Sequence, residues 1–347
     1  MKRTLAVTVA AGAAVLARRA LRRRIRRSPL WPLPALDTPV SGHSPRRTLY
    51  ARIVSRTEPA EGVVRITLES DEFPAWTPGA HVDVVLPSGL VRQYSLCGDP
   101  ADTGRWTIAV RLVEDGRGGS REVHEALVEG AELPVRPPRN RFELVPAPAY
   151  VFVAGGIGIT PILPMLRAAT AAGADWTLLY GGRSRASMPF LPELAAYGER
   201  VTLLPEDETG RPDLTPLAGI RPGTLVYCCG PEPLMRAVTE AAPDPSAVRL
   251  ERFVPAAPVA AGPFTVELRR SGTEVAVAAD ESTLAAVRRV RPDTPYSCEQ
   301  GFCGTCRHRV LAGEVDHRDD LLTDAERTTS MLLCVSRASK DRIALDL

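Results

Sequence analysis

Cys298-Glu-Gln-Gly-Phe-Cys303-Gly-Thr-Cys306, followed at a distance by Cys334, is the stretch on which the reading of this 347-residue chain turns. Three thiols this close together, with a fourth arriving from a separate segment, suit one small inorganic centre. Two irons need two thiolates each. A loop that wraps them needs small residues, and Gly301 and Gly304 allow tight turns there. Its N–H groups can then point at the sulfurs and raise the reduction potential. Structural zinc, the competing reading, favours paired C-x2–4-C knuckles, whereas here one such pair stands beside an offset third cysteine.

C-x4-C-x2-C with a distant fourth cysteine is the ligand spacing of plant-type [2Fe–2S] ferredoxins. The text around it agrees. FTVELRRSG and TEVAVAA read as a hairpin, Thr283–Arg289 as a short helix and Arg342–Leu347 as a closing strand. Residues 264–347 are therefore expected to form an α+β ferredoxin domain of the β-grasp kind. His308 and His317 lie near the cysteines, but four thiolates already fill the site, so both are read as surface residues. VPAAPVAAGP (254–263) reads as a linker.

Upstream, AYVFVAGGIGITPILPMLRAATAAG runs from a buried strand (Tyr150–Ala154) through a glycine turn into a helix opening at Pro161. WTLLYGG, a helical stretch near Phe190–Tyr197, VTLLPED and TLVYCCGPEPLMRAVTEAA continue the alternation. Strand and helix in turn predict a doubly wound parallel α/β sheet over 148–253. Gly155, Gly156 and Gly158 would let backbone approach a pyrophosphate at a helix start, although this is not G-x-G-x-x-G and a plain tight turn reads similarly. Cys229-Gly230-Pro231 ends a later strand, where the Cys229 thiol would sit beside a reacting nicotinamide; Cys228 reads as simply buried. Arg183-Ser184-Arg185 follows the second strand, where Arg and Ser would hold a 2′-phosphate. No acidic residue offers itself for an NADH ribose, so NADPH is favoured over NADH, with a solvated loop as the alternative.

Before that, LYARIVSRTEP, VVRITLES, HVDVVLP, VRQYSLC and WTIAVRLVE are short Val/Ile-rich runs between Gly, Pro and Asp. They predict a small antiparallel β-barrel over 48–147. Arg92-Gln93-Tyr94-Ser95-Leu96 lies on one of its strands. Tyr94 is expected against a flavin ring, Ser95 near its N5, and Arg92 as a fork for phosphate. Gly116-Arg117-Gly118-Gly119-Ser120 precedes a helical stretch (Arg121–Leu127) whose start suits that phosphate. An ordinary polar strand followed by a glycine-rich turn is the plainer reading of each motif alone.

Charge is uneven. Residues 1–49 hold eleven Lys/Arg and one acid, Asp37, so the remaining 32 basic and 40 acidic residues leave an acidic body on a basic tail. No basic patch suits nucleic acid. Residues 4–17 carry no charge and are followed by arginines. Fourteen helical residues rise about 21 Å, short of a ~30 Å hydrocarbon core. A secretory signal would place its basic block first. Residues 1–27 are read as a short anchor at the inner membrane surface with the body in the cytoplasm, the alternative being a dispensable tail; 28–47 read as a linker. Seven cysteines, four of them crowded near the C-terminus, form no secreted disulfide framework.

Taken in order, these motifs resemble the phthalate dioxygenase reductase family, which includes the vanillate demethylase reductases. The resemblance covers about 48–347; the first 47 residues depart from it. It implies an FMN barrel, a nicotinamide domain and a C-terminal ferredoxin, with FMN rather than FAD. Carried onto this chain, it implies FMN contacts at Arg92, Tyr94, Ser95, Ala109, Val110, Arg111, Gly118, Gly119 and Ser120, with Thr160 near the flavin and Phe253 beside the ring. Ser95 and Cys229 are the candidates closest to the reacting atoms. The expected activity is electron delivery from NAD(P)H through FMN and the cluster, one electron at a time, to a partner oxygenase: Rieske-type, cytochrome P450, or a membrane di-iron enzyme. A monomer is expected. A redox-sensing scaffold and a stand-alone flavin reductase are the rivals. No Ser–His–Asp or metal-hydrolase pattern occurs.

Overall fold

Alternation drives the first sheet. In the strand Ala80–Val85, Val82 and Val84 are fully buried, and the run of short β-branched segments repeats this pattern. The computed structural model describes residues 48–116, 118–253, 262–296, 299, 301–319 and 321–347. Strands β1 (Leu49–Ala60), β2 (Val63–Glu69), β3 (Ala80–Val85), β4 (Val91–Ser95) and β5 (Arg105–Arg111) are followed by helix α1 (Gly119–Ala126), β6 (Glu132–Val135) and β7 (Arg139–Asn140). The sheet runs β4-β3-β6-β1-β2-β5, with β7 on β3, and every pairing is antiparallel. It curls until its ends meet, where the Cys97 N–H donates to the Thr107 carbonyl at 2.8 Å. Glu61-Gly62 turns β1 into β2, with Gly62 at φ 66°.

The second sheet is wholly parallel. Its elements are β8 (Ala149–Gly155), α2 (Ile159–Ala171), β9 (Asp175–Gly182), α3 (Leu191–Ala195), β10 (Val201–Pro205), α4 (Glu206–Thr209), β11 (Thr224–Cys229), α5 (Glu232–Ala241) and β12 (Val248–Glu251). The order β10-β9-β8-β11-β12 reverses between β8 and β11, and ligands of such sheets bind outside the strand ends at that point. A 3-10 turn at Gly156–Gly158 lets α2 start at Ile159, ahead of Pro161.

The third sheet has β13 (Phe264–Leu268), β14 (Thr273–Val277), α6 (Thr283–Val290), β15 (Arg307–Ala312), β16 (Val315–Asp316), α7 (Asp324–Arg327), β17 (Ser330–Leu332), β18 (Arg337–Ala338) and β19 (Arg342–Leu345). It runs β14-β13-β19-β15-β17, with β13 and β19 parallel, while β16 and β18 pair apart from it. Ser282 caps α6 by accepting the Ala285 N–H at 3.1 Å. The fully buried Arg337 donates to the carbonyls of Ala278, Glu281 and Gly262, so one end of the stretch expected to be a linker is tied to this sheet.

Residues 48–347 are one unit. Val63, Cys97 and Ala109 of the barrel share a core with Ile159, Ile162 and Leu163 of α2, and Arg167 donates to the carbonyls of Cys97 (3.1 Å) and Gly98 (2.6 Å). Among the described residues no helix is long and apolar enough to cross a membrane. The expected anchor (1–27), the 28–47 linker and most of the 254–263 linker lie outside the described residues.

Candidate functional site

The cysteine loop is shaped by backbone. Cys303, Cys306 and Cys334 are buried, while Cys298 lies outside the described residues. Pairing of Arg307 with Leu332 across β15 and β17, and the Leu333 N–H donating to the Cys306 carbonyl at 3.2 Å, bring Cys334 beside Cys306. Gly301 and Gly304 have φ of 78° and 77°. A Cβ at Gly301 would lie 2.9 Å from Val335, and one at Gly304 would lie 2.7 Å from Leu321. The Thr305 N–H points at the Cys303 sulfur at 3.5 Å. Buried thiols with an N–H aimed at one of them suit a two-iron centre better than a bare apolar core.

Asp319, buried, accepts the N–H groups of Leu321 (3.1 Å) and Leu322 (2.7 Å) and so holds the segment that closes over Gly304. The two histidines, expected at the surface, are half-buried. His308 is half-buried, with Nδ1 3.3 Å from the Cys306 carbonyl, and burial holds its pKa below the usual value. The His317 Nε2 meets the Arg327 carbonyl at 3.0 Å. Each ring thus meets a backbone carbonyl of the cluster domain.

On β4 the alternation sorts the flavin motif. Arg92 and Tyr94 pair with Val84 and Val82 on the barrel side, and Ser95 pairs with His81 on the opposite face. Arg92 reaches Gly119 at the start of α1: a Cβ there would lie 2.2 Å from the Arg92 Nε. Gly118, at φ 79°, leads into that helix, so a guanidinium and the first N–H groups of a helix converge. Such donors are of the kind that a phosphate takes. The Ser120 hydroxyl accepts the Val113 N–H at 3.1 Å. Ala109 packs into the core shared with α2 and Val110 into the barrel core, its carbonyl meeting His124 Nε2 at 2.9 Å, while Arg111 is exposed. Arg117 lies outside the described residues. Burial pushes the Tyr94 hydroxyl pKa up, so the ring stays neutral.

At the switch point of the parallel sheet the glycine turn and the Cys229-Gly230-Pro231 loop touch. A Cβ on Gly158 would lie 2.2 Å from the Cys229 carbonyl oxygen, and one on Gly155 would lie 2.7 Å from Pro231. Thr160 is buried and donates to the Ile157 carbonyl at 2.9 Å. Burial raises the pKa of Cys229 well above the usual range and that of Cys228 to about 12, so both stay thiols. Arg183 is exposed and Ser184 hydrogen-bonds Ser187. Arg185 is forked onto Glu208 at 2.8 and 3.1 Å. No acid offers itself for an NADH ribose in the sequence, yet α4 carries Glu206, Asp207 and Glu208 to this loop from the end of the neighbouring strand β10.

Between these parts stands Glu251. It ends β12 directly beside Cys229, and its carboxylate accepts the Ser95 hydroxyl at 3.4 Å across the junction of the two sheets. Burial pushes its pKa up to about 8, against the Ser95 hydrogen bond. Sequence reading passed over it, because only strand register places it beside Cys229. Phe253, two residues on, is 41% exposed.

The 2Fe-2S iron-sulfur cluster binding domain family matches residues 266–339, and the oxidoreductase NAD-binding domain family matches residues 152–240. The phthalate 4,5-dioxygenase oxygenase reductase subunit of Pseudomonas putida is 39% identical over 310 residues, 85% of this chain and 96% of its own. The solved structure of phthalate dioxygenase reductase, described as modular for electron transfer from pyridine nucleotides to [2Fe–2S], aligns at a TM-score of 0.64 and 35% identity, covering 86% of this chain and 98% of that one. An intact type IV self-sufficient cytochrome P450 monooxygenase aligns at a TM-score of 0.67 and 41% identity over 92% of this chain, which spans 44% of that longer protein.

Proposed function

From the premise that this chain belongs to the phthalate dioxygenase reductase family of oxygenase reductase subunits, we propose that it carries electrons from NAD(P)H, through FMN and a [2Fe–2S] cluster, to an oxygenase. The division of labour proposed is 48–147 for FMN, 148–253 for NAD(P)H and 264–347 for the cluster. The observation that carries the reading is convergence. Arg92 and the Gly118–Gly119 helix start, the Gly158–Cys229 contact, and the Cys303–Cys306–Cys334 loop belong to one unit.

Bound FMN would supply the conversion from the two-electron chemistry of a nicotinamide to the one-electron chemistry of iron. The protein's part is orientation. Arg92 and the start of α1 would hold the phosphate, and Tyr94 would cover the ring. Gly155, Gly156 and Gly158 would admit the coenzyme pyrophosphate, and Gly230 and Pro231 would border the nicotinamide. Ser95 and Glu251 would hold a proton between them beside the reacting rings, with the neutral Cys229 thiol packed alongside. Cys298, Cys303, Cys306 and Cys334 would ligate the cluster.

The acceptor is read as the oxygenase of a dioxygenase system, in line with the Pseudomonas putida relative. A cytochrome P450 is the second reading, favoured by the fused monooxygenase that carries such a segment. Association of residues 1–27 with a membrane surface, and a monomeric state, belong to this proposal as well. The test is direct. Purified protein should show flavin and iron–sulfur absorption together, release FMN on heating, and bleach on addition of NAD(P)H. Protein that binds neither group after anaerobic reconstitution would end the reading.

A further inference from the structure

Asp83 lies on β3 with its side chain 1% exposed, on the face opposite the barrel core. A carboxylate so buried needs charged partners, and two guanidiniums meet it. The Arg139 Nη2 donates to Oδ1 at 2.6 Å and the Arg136 Nη1 to Oδ2 at 3.3 Å. Arg136 is fixed again by its own N–H, which donates to the Asp83 carbonyl at 2.9 Å. Both arginines also reach the cysteine loop: the same Arg136 Nη1 donates to the Cys303 carbonyl at 3.3 Å, and the Arg139 Nη1 donates to the Phe302 carbonyl at 3.4 Å. Beside them Phe302 and Cys303 bury against Val91, with Val85 packed on the same cluster. Val91 opens the strand that carries Arg92, Tyr94 and Ser95.

We propose that Asp83, Arg136 and Arg139 form a latch that seats the cluster loop on the β3–β4 face of the barrel, in position for internal electron transfer. The inference rests on the reductase reading above and adds positioning residues to it. The arrangement has a charge logic. Four thiolates and two sulfides give the cluster a negative charge that grows on reduction. Asp83 neutralises one guanidinium and leaves one positive charge against the loop. That charge, with two hydrogen bonds to loop carbonyls, favours the reduced state. Asp83 also fixes both guanidiniums before the loop arrives, so little side-chain freedom is lost on seating. The loop bonds are long and the apolar contact is small, which suits a seat that opens for the external acceptor.

The experiment uses the loaded full-length protein and the substitutions Arg136→Gln, Arg139→Gln, their combination, and Arg139→Lys. Stopped-flow spectroscopy separates flavin reduction by NAD(P)H from cluster reduction, the electron gained by iron being one of the pair that NAD(P)H gives up. The double variant should reduce its flavin at the native rate and its cluster at least tenfold more slowly. Its cluster potential should fall, making reduction several-fold less favourable, and Arg139→Lys should recover part of both. Hydrogen exchange of the 301–307 amides, read without turnover, should quicken in the double variant while β8 amides stay protected. Cluster reduction within twofold of native, or unchanged exchange at 301–307, would overturn the latch. A native protein whose cluster fails to bleach under NAD(P)H would instead defeat the reductase reading.

Discussion

The Ser95 hydroxyl and the Glu251 carboxylate meet at 3.4 Å although 156 residues separate them, one at the end of a barrel strand and the other at the end of the parallel sheet. Burial pushes Glu251 up from 4.5 to about 8. Between those values the folded protein holds a proton that the unfolded chain has released. Stability is therefore greatest on the acid side of the window and declines as pH rises through it. The carboxylate is only partly buried, so a loss of about 1–3 kcal/mol between pH 5 and pH 9 is expected. Glu251→Gln should remove this slope. Urea unfolding of both proteins at the two pH values measures it, and parallel profiles would show that Glu251 is ionised throughout.

The three sheets were legible because each has its own period: alternating short strands, strand–helix alternation, and cysteine spacing. Arg92 and Gly119 were both expected at a phosphate, and the fold brings them into contact. What was not legible depended on register and on side chains from distant segments. Glu251 became visible only through its pairing with Cys229, and Asp83 only through two arginines fifty-odd residues on. The half-burial of His308 and His317 was not legible either, because filled coordination says nothing of burial. Glu208 was missed because the end of β10 meets the end of β9 only once the strands are parallel neighbours.

Gly158 and Gly156 should respond differently to alanine. At Gly158 a Cβ would lie 2.2 Å from the Cys229 carbonyl oxygen, and neither backbone can yield without opening the switch point. Gly158→Ala should cost about 1–3 kcal/mol and raise the KM for NAD(P)H more than tenfold. Gly156 faces open space at φ 55°, so Gly156→Ala should cost only about 1 kcal/mol of backbone strain. Thermal melts and steady-state kinetics rank the two. Equal effects would mean that the close approach is not what the glycine serves.

Cys303→Ser tests the exit for electrons. The Cys303 sulfur is buried and receives the Thr305 N–H, so a hydroxyl in its place fits the space but is a poorer ligand for iron. Iron and acid-labile sulfide should fall sharply, and delivery to an oxygenase should drop at least 100-fold. Ferricyanide reduction, which needs only the flavin, should stay within about threefold of native. Retained oxygenase support in a cluster-free variant would favour a stand-alone flavin reductase.

Coenzyme choice should turn on the Arg185–Glu208 pair. The fork is made at 2.8 and 3.1 Å, yet both side chains are about half exposed, at 51% and 47%. Exposed pairs of this kind contribute about 0–1 kcal/mol to stability, so a 2′-phosphate can draw Arg185 away at small cost. While paired, the guanidinium is neutralised and its donors are occupied. Glu208→Gln would release it and should lower the KM for NADPH about three- to tenfold, leaving the KM for NADH nearly unchanged. Arg185→Ala should raise the KM for NADPH by a similar factor and leave the melting temperature within about 2 °C, as expected for a weak surface pair. If both substitutions changed the two coenzymes equally, this loop would not be reading the ribose, and discrimination would have to be sought among the other residues that border the turn.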